Sequence, residues 1–300
     1  VAIFNPANGG QIARFFAFDP AFTGGVRVAV ADVTGDRAPD LIAGAGPGGG
    51  PRVQVFDGAT GKAVRDFFAF EPTFAGGVYV ASADFDRDGF ADLVVSADVG
   101  GGPRVRVLSG RTGATIADFF AFETTFTGGV RVATGDVNGD GVPDLIVSAG
   151  FGGGPRIAVF DGRTLAVGSA PARLGADFFA FEPTLRNGAF VSAGDVNGDG
   201  SADLFAGAGP GGGPRVSVFG GRQFLAGTQT RLVDFFAGDP ALRGGVTVGA
   251  ADTTGDGVPE VLAAPVGTGV VTAYDVAGGG VAAVREFDAF PGFSGAVFVG

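Results

Sequence analysis

The stretch G-D-V-N-G-D-G-V-P-D-L-I-V-S-A-G, Gly135–Gly150, decides the fold. At its centre is an acidic nonapeptide, Asp136–Asp144, with oxygen-bearing side chains at positions one, three, five and nine, followed at once by an apolar run. The pattern D-x-[DNT]-x-D-x-x-x-[DE] begins at Asp32, Asp84, Asp136, Asp195 and Asp252, in steps of 52, 52, 59 and 57 residues. Carboxylates on alternate residues of a tight loop turn toward one centre, and a hard cation makes that crowding favourable. Without one, a pair of carboxylates ~4 Å apart repels by ~4 kcal/mol at an effective dielectric of ~20.

Aligned on these loops, the chain resolves into a repeat of about 52 residues. An alternating apolar segment precedes each loop: Val26–Ala31, Val78–Ala83, Val130–Gly135, Phe190–Gly194 and Val246–Ala251. A second run follows it, as at Leu41–Ala45, Leu93–Ala97, Leu145–Ala149 and Leu204–Ala208. Beyond a glycine-rich turn lies a third, at Val53–Phe56, Val105–Leu108, Ile157–Phe160, Val216–Phe219 and Val271–Tyr274. The fourth ends in a Phe-rich box: Phe67–Phe70, Phe119–Phe122, Phe178–Phe181, Phe235–Phe236 and Phe287–Phe290. Short β-branched and aromatic runs punctuated by Gly, Pro, Asn and Asp read as strands, and the box reads as core. Four strands in tandem at this period predict an all-β fold, a β-propeller of four-stranded blades. The units are 24–75, 76–127, 128–187, 188–243 and 244–294. The longer third and fourth units carry their extra residues near Gly162–Gly175 and Gly220–Gly227, in the turn between strands three and four.

Val1–Asn5 matches a third strand, Ile12–Phe18 a fourth and Ala296–Val299 a first. Residues 1–23 plus 295–300 therefore predict a composite blade closing a six-bladed ring, with part of a seven-bladed ring as the alternative. This blade lacks a second strand and an acidic loop.

The pattern G-V-R-V-A-x-G-D-V-N-G-D-G-V-P-D-L-I-V-S-A-G at Gly129–Gly150 resembles the FG-GAP/VCBS-type repeats of calcium-bound propellers, including the integrin α-subunit propeller. The resemblance covers essentially the whole chain. It implies a propeller, calcium in the turn between strands one and two, and an extracellular or cell-surface setting. Arg37 in place of the usual glycine and Glu260 in place of the last aspartate depart from the pattern.

Composition narrows the chemistry. Cysteine and histidine are absent, which excludes thiol catalysis, disulfides and the commonest transition-metal ligands. No apolar run approaches a membrane span, and no basic stripe suits nucleic acid. Val1 is not an initiator methionine and no signal-like segment precedes the first repeat, so a processed or excised chain is expected. Sixteen of the 31 acids lie in the five loops, so one divalent cation in each would bring the net charge from −11 to −1. The acidity belongs to the loops and does not advertise a basic partner.

The expected cofactor is Ca2+, up to five ions, because the donor set is all oxygen. Side chains at positions one, three, five and nine and the carbonyl of position seven are the candidate donors. They are Asp32, Thr34, Asp36, Ala38 and Asp40; Asp84, Asp86, Asp88, Phe90 and Asp92; and Asp136, Asn138, Asp140, Val142 and Asp144. The fourth and fifth sets are Asp195, Asn197, Asp199, Ser201 and Asp203, and Asp252, Thr254, Asp256, Val258 and Glu260. The competing reading is a metal-free Asx-type turn with solvated acids. A short turn offers calcium no lever, so its expected role is to stiffen each blade.

On the opposite rim, Arg52, Arg104, Arg156 and Arg215 occupy equivalent positions after the glycine-rich turn, with Val270 breaking the series. They form a candidate ligand rim for an anionic glycan or protein. Against this, Asp19, Glu71, Glu123, Glu182 and Asp239 on the same rim could simply pair with them. The functional expectation is a calcium-stabilised extracellular binding or adhesion module within a larger protein. A purely structural domain and a carbohydrate-active enzyme are the alternatives. The sequence leans away from an enzyme, since catalysis would rest on carboxylates, Tyr79 or Tyr274.

Overall fold

Every acidic loop is the turn of one antiparallel hairpin, and the register places its ninth residue opposite the residue just before the loop. The pairs are Ala31 with Asp40, Ala83 with Asp92, Gly135 with Asp144, Gly194 with Asp203 and Ala251 with Glu260. A computed structural model describes residues 1–165 and 171–300. Two strands, β1 (Ala2–Phe4) and β2 (Gln11–Arg14), come first. The first blade is β3 (Val26–Ala31), β4 (Asp40–Ala45), β5 (Arg52–Phe56) and β6 (Ala63–Phe68). The second is β7 (Val78–Ala83), β8 (Asp92–Ala97), β9 (Arg104–Leu108) and β10 (Thr115–Phe120). The third is β11 (Val130–Gly135), β12 (Asp144–Ala149), β13 (Arg156–Phe160) and β14 (Phe178–Phe179). The fourth is β15 (Ala189–Gly194), β16 (Asp203–Ala208), β17 (Arg215–Phe219) and β18 (Arg231–Phe236). The fifth is β19 (Val246–Ala251), β20 (Glu260–Pro265), β21 (Val270–Asp275) and β22 (Ala282–Asp288). Within each sheet the strands lie in chain order.

The second strand of each of the first four sheets is covered on both faces, which is why it reads as an unbroken apolar run and not as an alternation. Ile42, Val94, Ile146 and Phe205 are fully buried. Blades pack face to face, each interface filled by one apolar cluster. Ile42, Val53 and Val55 of the first blade meet Val78, Val80 and Leu93 of the second, and the next three interfaces repeat this. Each such side chain removed from water contributes roughly 1.5–3 kcal/mol. Innermost strands stand side by side from β3 through β7, β11 and β15 to β19, and no comparable packing joins β19 back to β3.

The described residues therefore form five four-stranded blades, not the six, or part of seven, that the termini suggested. Residues 1–23 plus 295–300 do not form a blade. β1 and β2 make only a two-stranded sheet, and 296–300 belong to no strand. The physical reason is the missing second strand: it is the buried centre of every other sheet, and without it strand one has no ladder to join. Val297 and Val299 still pack with Phe4 and Phe287 against the fifth blade.

The phenylalanine box is core only in part. In the first blade Ala69 and Phe70 are buried, but the second phenylalanine, Phe68, is 52% exposed. Phe16, Phe120, Phe179 and Phe236 repeat that exposure, because side chains alternate faces along the outermost strand. Two short helical turns, α1 (Gly162–Leu165) and α2 (Gly221–Leu225), occupy the insertions of the third and fourth units. Residues 166–170 of the first insertion lie outside the described residues. No helix among the described residues is long and apolar enough to cross a membrane.

Candidate metal centres and the opposite rim

The first aspartate of each loop folds the loop around itself. In the third loop Asp136 Oδ1 accepts from Asp140 N at 3.0 Å and Oδ2 from Gly141 N at 2.7 Å. The fourth loop repeats this with Asp195, Asp199 and Gly200. The fifth-position carboxylate accepts from the amide two residues on, as Asp88 does from Phe90 N at 3.0 Å. These Asx-type bonds fix the backbone of the loop.

Such winding needs left-handed backbone at positions four and six. Glycine supplies it at both in the third, fourth and fifth loops. The exceptions are Arg37 (φ 71°) at position six of the first loop and Arg87 (φ 60°) at position four of the second. They are the two non-glycine residues with positive φ among those described. The sequence signalled the constraint at position six; that at position four went unread.

The ninth position behaves differently from the other donors. Asp40, Asp92, Asp144 and Asp203 are fully buried and accept backbone N–H groups on both oxygens. Asp144 Oδ2 takes Val137 N (2.9 Å) and Asn138 N (3.2 Å), while Oδ1 takes Gly162 N (3.0 Å) beyond the third strand. Gly58, Gly110 and Gly221 play the part of Gly162 in their blades. This residue is thus an anchor joining the loop to the turn after strand three. Burial pushes the carboxyls of Asp92, Asp144 and Asp203 up to about 6 against the pull of those N–H groups. Glu260, one carbon longer, bonds Thr253 and Thr254 instead.

The loops differ in readiness for a cation. Asp84, Asp86 and Asp88 bring carboxylate oxygens within 4.8 Å of one another, as do Asp252, Asp256 and Glu260. In the first loop the Thr34 hydroxyl is buried with no hydrogen-bond partner, an orphaned oxygen at position three. The third and fourth loops carry an internal cation. Arg163 Nε lies 3.1 Å from Asp140 Oδ2, and Arg222 Nε lies 3.3 Å from Asp199 Oδ1. Both arginines come from the helical turns of the insertions, so nothing in the loop sequence itself announced them. All five donor sets are oxygen only, and the second and fifth loops already gather their carboxylates as a hard divalent cation requires.

On the opposite rim the arginines are already engaged. Arg104 forks Asp118 of its own blade at 2.8 Å twice and Glu71 of the preceding connector at 3.0 and 3.1 Å. Its guanidinium also covers the Phe70 ring at 5.2 Å. Arg156 repeats the arrangement with Asp177, Glu123 and Phe122, and Arg215 with Asp234, Glu182 and Phe181. Arg52 pairs with Asp66, whose carboxyl it holds down to about 2, and covers Phe18. Glu71, Glu123 and Glu182 of the expected acids thus engage Arg104, Arg156 and Arg215 and staple blade to blade, whereas Arg52 pairs with Asp66 inside its own blade. What the rim does expose is the row of second phenylalanines, each beside a glycine of the neighbouring turn. A Cβ added at Gly50, Gly102, Gly154 or Gly213 would meet Phe68, Phe120, Phe179 or Phe236.

Sequence reading also missed the propeller axis. Arg27, Tyr79, Arg131 and Phe190, each second in its innermost strand, converge there with Phe298. Arg27 is buried against Asp98 (2.9 Å) and lies over the Tyr79 and Phe298 rings. Arg131 covers Phe190 at 4.2 Å.

Three comparisons bear on this geometry. A family model described as FG-GAP-like repeat matches residues 84–147, from the second acidic loop into the second strand of the third blade. Integrin alpha-V of Gallus gallus is 26% identical over 217 residues, covering 64% of this chain. The chain spans only 20% of that relative's length. Among solved structures, rhamnogalacturonan lyase YesW superposes with a TM-score of 0.51 at 15% identity, over 85% of this chain and 50% of that one. The Bacillus licheniformis rhamnogalacturonan lyase PL11 follows at 0.44 and 14%, over 81% of this chain and 55% of its own. At 15% identity the likeness to YesW establishes the fold alone.

Proposed function

We propose that this chain, an FG-GAP-repeat β-propeller, is a calcium-stiffened extracellular module that binds a carbohydrate or protein ligand within a larger surface or secreted protein. The observation that carries the calcium reading is the second loop, where Asp84, Asp86 and Asp88 converge within 4.8 Å. Those side chains, the Phe90 carbonyl and Asp92 would hold the ion there. The fifth loop would use Asp252, Asp256, Glu260 and the Val258 carbonyl, and the first Asp32, Thr34, Asp36, Asp40 and the Ala38 carbonyl. In the third loop Asp136, Asn138, Asp140, Asp144 and Val142 serve once Arg163 withdraws; in the fourth, Asp195, Asn197, Asp199, Asp203 and Ser201 serve once Arg222 does. A bound cation supplies charge neutralisation where carboxylates crowd. The chain's own contribution is to pre-wind each loop and anchor it to strand two.

Support for a ligand surface comes from the rim opposite the loops. Phe16, Phe68, Phe120, Phe179 and Phe236 are 47–73% exposed at equivalent positions, the last four beside glycine backbone. A flat aromatic face beside unobstructed backbone suits the apolar faces of sugar rings or an aromatic-rich protein surface. A glycan array probed with and without calcium tests this reading, with specific, calcium-dependent hits as the expected result. Silence on glycans, together with failure to retain any surface protein on an immobilised module, would overturn it.

One observation favours a second reading, a scaffold whose task is rigidity. Arg104, Arg156 and Arg215 are used in interblade staples, and repeated contacts in a repeat protein serve the repeat. The likeness to the lyases brings no activity with it at 15% identity, and a carbohydrate-active enzyme would have to rest its chemistry on carboxylates, Tyr79 or Tyr274.

A further inference from the structure

The propeller axis carries the same buried arginine twice but supplies a counter-ion to only one of the two. Arg27 and Arg131 are the second residues of β3 and β11, two blades apart, and are only 7% and 6% exposed. Arg27 of the first blade reaches the second, where Asp98, the residue just after β8, meets its Nη2 at 2.9 Å. Arg131 of the third blade reaches the fourth, where the residue just after β16 is Gly209. A side chain has no room there, since a Cβ would lie 2.2 Å from the Asn187 carbonyl oxygen. Arg131 therefore forms no ion pair among the described residues. Its charge meets only backbone carbonyls and the faces of Phe190 and Tyr79.

The donors of Arg131 show which edge is left over. Nη1 donates to Asn187 O at 3.2 Å and to Ala189 O at 3.0 Å, and Nη2 donates to Asn187 O at 3.3 Å. An acceptor shared by Nη1 and Nη2 sits between them, so the Nη2–H on the Nε side has no acceptor. Nε is buried without a hydrogen-bond partner in both arginines, but Arg27 already holds Asp98. In Arg131 the Nε–H and that Nη2–H form the side-on fork that matches two carboxylate oxygens. A buried guanidinium with this fork unmade is costly, and a carboxylate brought from outside relieves it.

The surroundings select the bearer of that carboxylate. Innermost strands run toward the acidic loops, so their second residues lie near the opposite rim. The residue before each of them is glycine (Gly25, Gly77, Gly129, Gly188 and Gly245), and no side chain from that position covers the mouth of the axis. Tyr79 and Phe298 are half-buried there, with ring centroids 5.9 Å apart, and the Tyr79 hydroxyl has no hydrogen-bond partner among the described residues. Arg131 lies one residue in from the rim beneath these rings, so the carboxylate has to arrive on a thin, unbranched stem. A glutamate side chain has that form, whereas a carboxylate borne on a sugar ring brings the width of the ring with it.

We propose that the mouth of the axis binds a glutamate side chain of a partner protein, its carboxylate taken by Nε and Nη2 of Arg131 and its stem packed against Tyr79 and Phe298. Such a site rests on the ligand-binding reading of this rim and narrows the partner to an acidic protein segment.

The probe is the capped peptide acetyl-Gly-Glu-Gly-amide, titrated calorimetrically into the intact chain beside its glutamine counterpart and methyl glucuronide. The expected result is saturable one-to-one binding, weaker by about tenfold or more for the glutamine peptide and for the glucuronide. Arg131→Gln should cost the glutamate peptide about tenfold or more in affinity. In isotope-labelled protein the Arg131 Nε–H resonance should move with the glutamate peptide and stay in place with the glutamine peptide, which keeps the test decisive even if Arg131→Gln does not fold. Absence of saturable binding, equal binding of the glutamine peptide, or an unmoved Arg131 signal would each overturn the proposal. Equal or tighter binding of the glucuronide would assign the mouth to a sugar acid and would equally overturn it. Specific glycan or protein capture by the module alongside any of these failures would leave its binding function standing without this site.

Discussion

Stability without calcium should rise as the solution is acidified from pH 7.5 to pH 5, the reverse of the usual acid response. The cause lies in Asp92, Asp144 and Asp203, whose folded-state carboxyls titrate at about 6 because burial penalises their charge. A raised acid pKa means protonation favours the folded state. The stabilisation is complete below the unfolded value near 3.9 and is lost as pH climbs through 6. With these two values, linkage gives about 1.4 kcal/mol per site between pH 7.5 and pH 5, or roughly 4 kcal/mol for three independent sites. Of the opposing groups, Asp66, held at about 2 by Arg52, loses its contribution only as pH falls below about 4, while the Val1 ammonium, whose pKa burial lowers, subtracts part of the gain as pH falls from 7.5. The assay is thermal unfolding in excess chelator, monitored by circular dichroism at half-unit pH steps. Tm should climb by several degrees toward pH 5, and saturating calcium should flatten the trend by holding the carboxylates ionised. A Tm that is flat or falls between pH 7.5 and pH 5 in chelator would refute the assignment of these buried acids.

The two roles within a loop should separate by mutation: Asp144→Ala strips three backbone N–H groups of their acceptor and should cost at least about 3 kcal/mol even in chelator. Asp140→Ala, by contrast, removes an acceptor for Val142 N and a partner for Arg163, should cost only about 1 kcal/mol in chelator, and should abolish one calcium equivalent in calorimetric titration; equal destabilisation by both would contradict the distinction. Arg37→Gly relieves a left-handed arginine (φ 71°) and should stabilise by about 1 kcal/mol in urea unfolding, with a loss of stability as the refuting result. Arg104→Ala removes two partly exposed ion pairs and a ring contact and should lower stability by about 2 kcal/mol. A cycle with Glu71→Ala should recover less than half of that, since Asp118 and Phe70 carry the rest.

The fold was legible because it is written five times. Period-two runs and glycine-rich turns located all four strands of the repeat, and the acidic loops marked the first hairpin of each blade. Closure was not legible. Matching Val1–Asn5 and Ala296–Val299 to strands three and one was sound as a likeness, but strand formation depends on a neighbour, and the second strand that would join them is absent. Local motif counting likewise treated position nine as one donor among five. Its first duty, anchoring Gly162 and its counterparts 18 residues away, depends on a register that only the folded sheet supplies. The exposed Phe68 series could have been inferred from alternation along the outermost strand. Arg163 and Arg222 could not, since both reach the loops from insertions outside the repeat pattern.

The central claim is that divalent cations neutralise the acidic loops and thereby stiffen the ring. Its most direct test is calorimetric titration of chelator-stripped protein with calcium, with Tm recorded at each equivalence point. The account predicts at least two tight equivalents, for the second and fifth loops, each raising Tm, with weaker binding where Arg163 and Arg222 must move aside. No heat of binding and an unchanged Tm at millimolar calcium would contradict it.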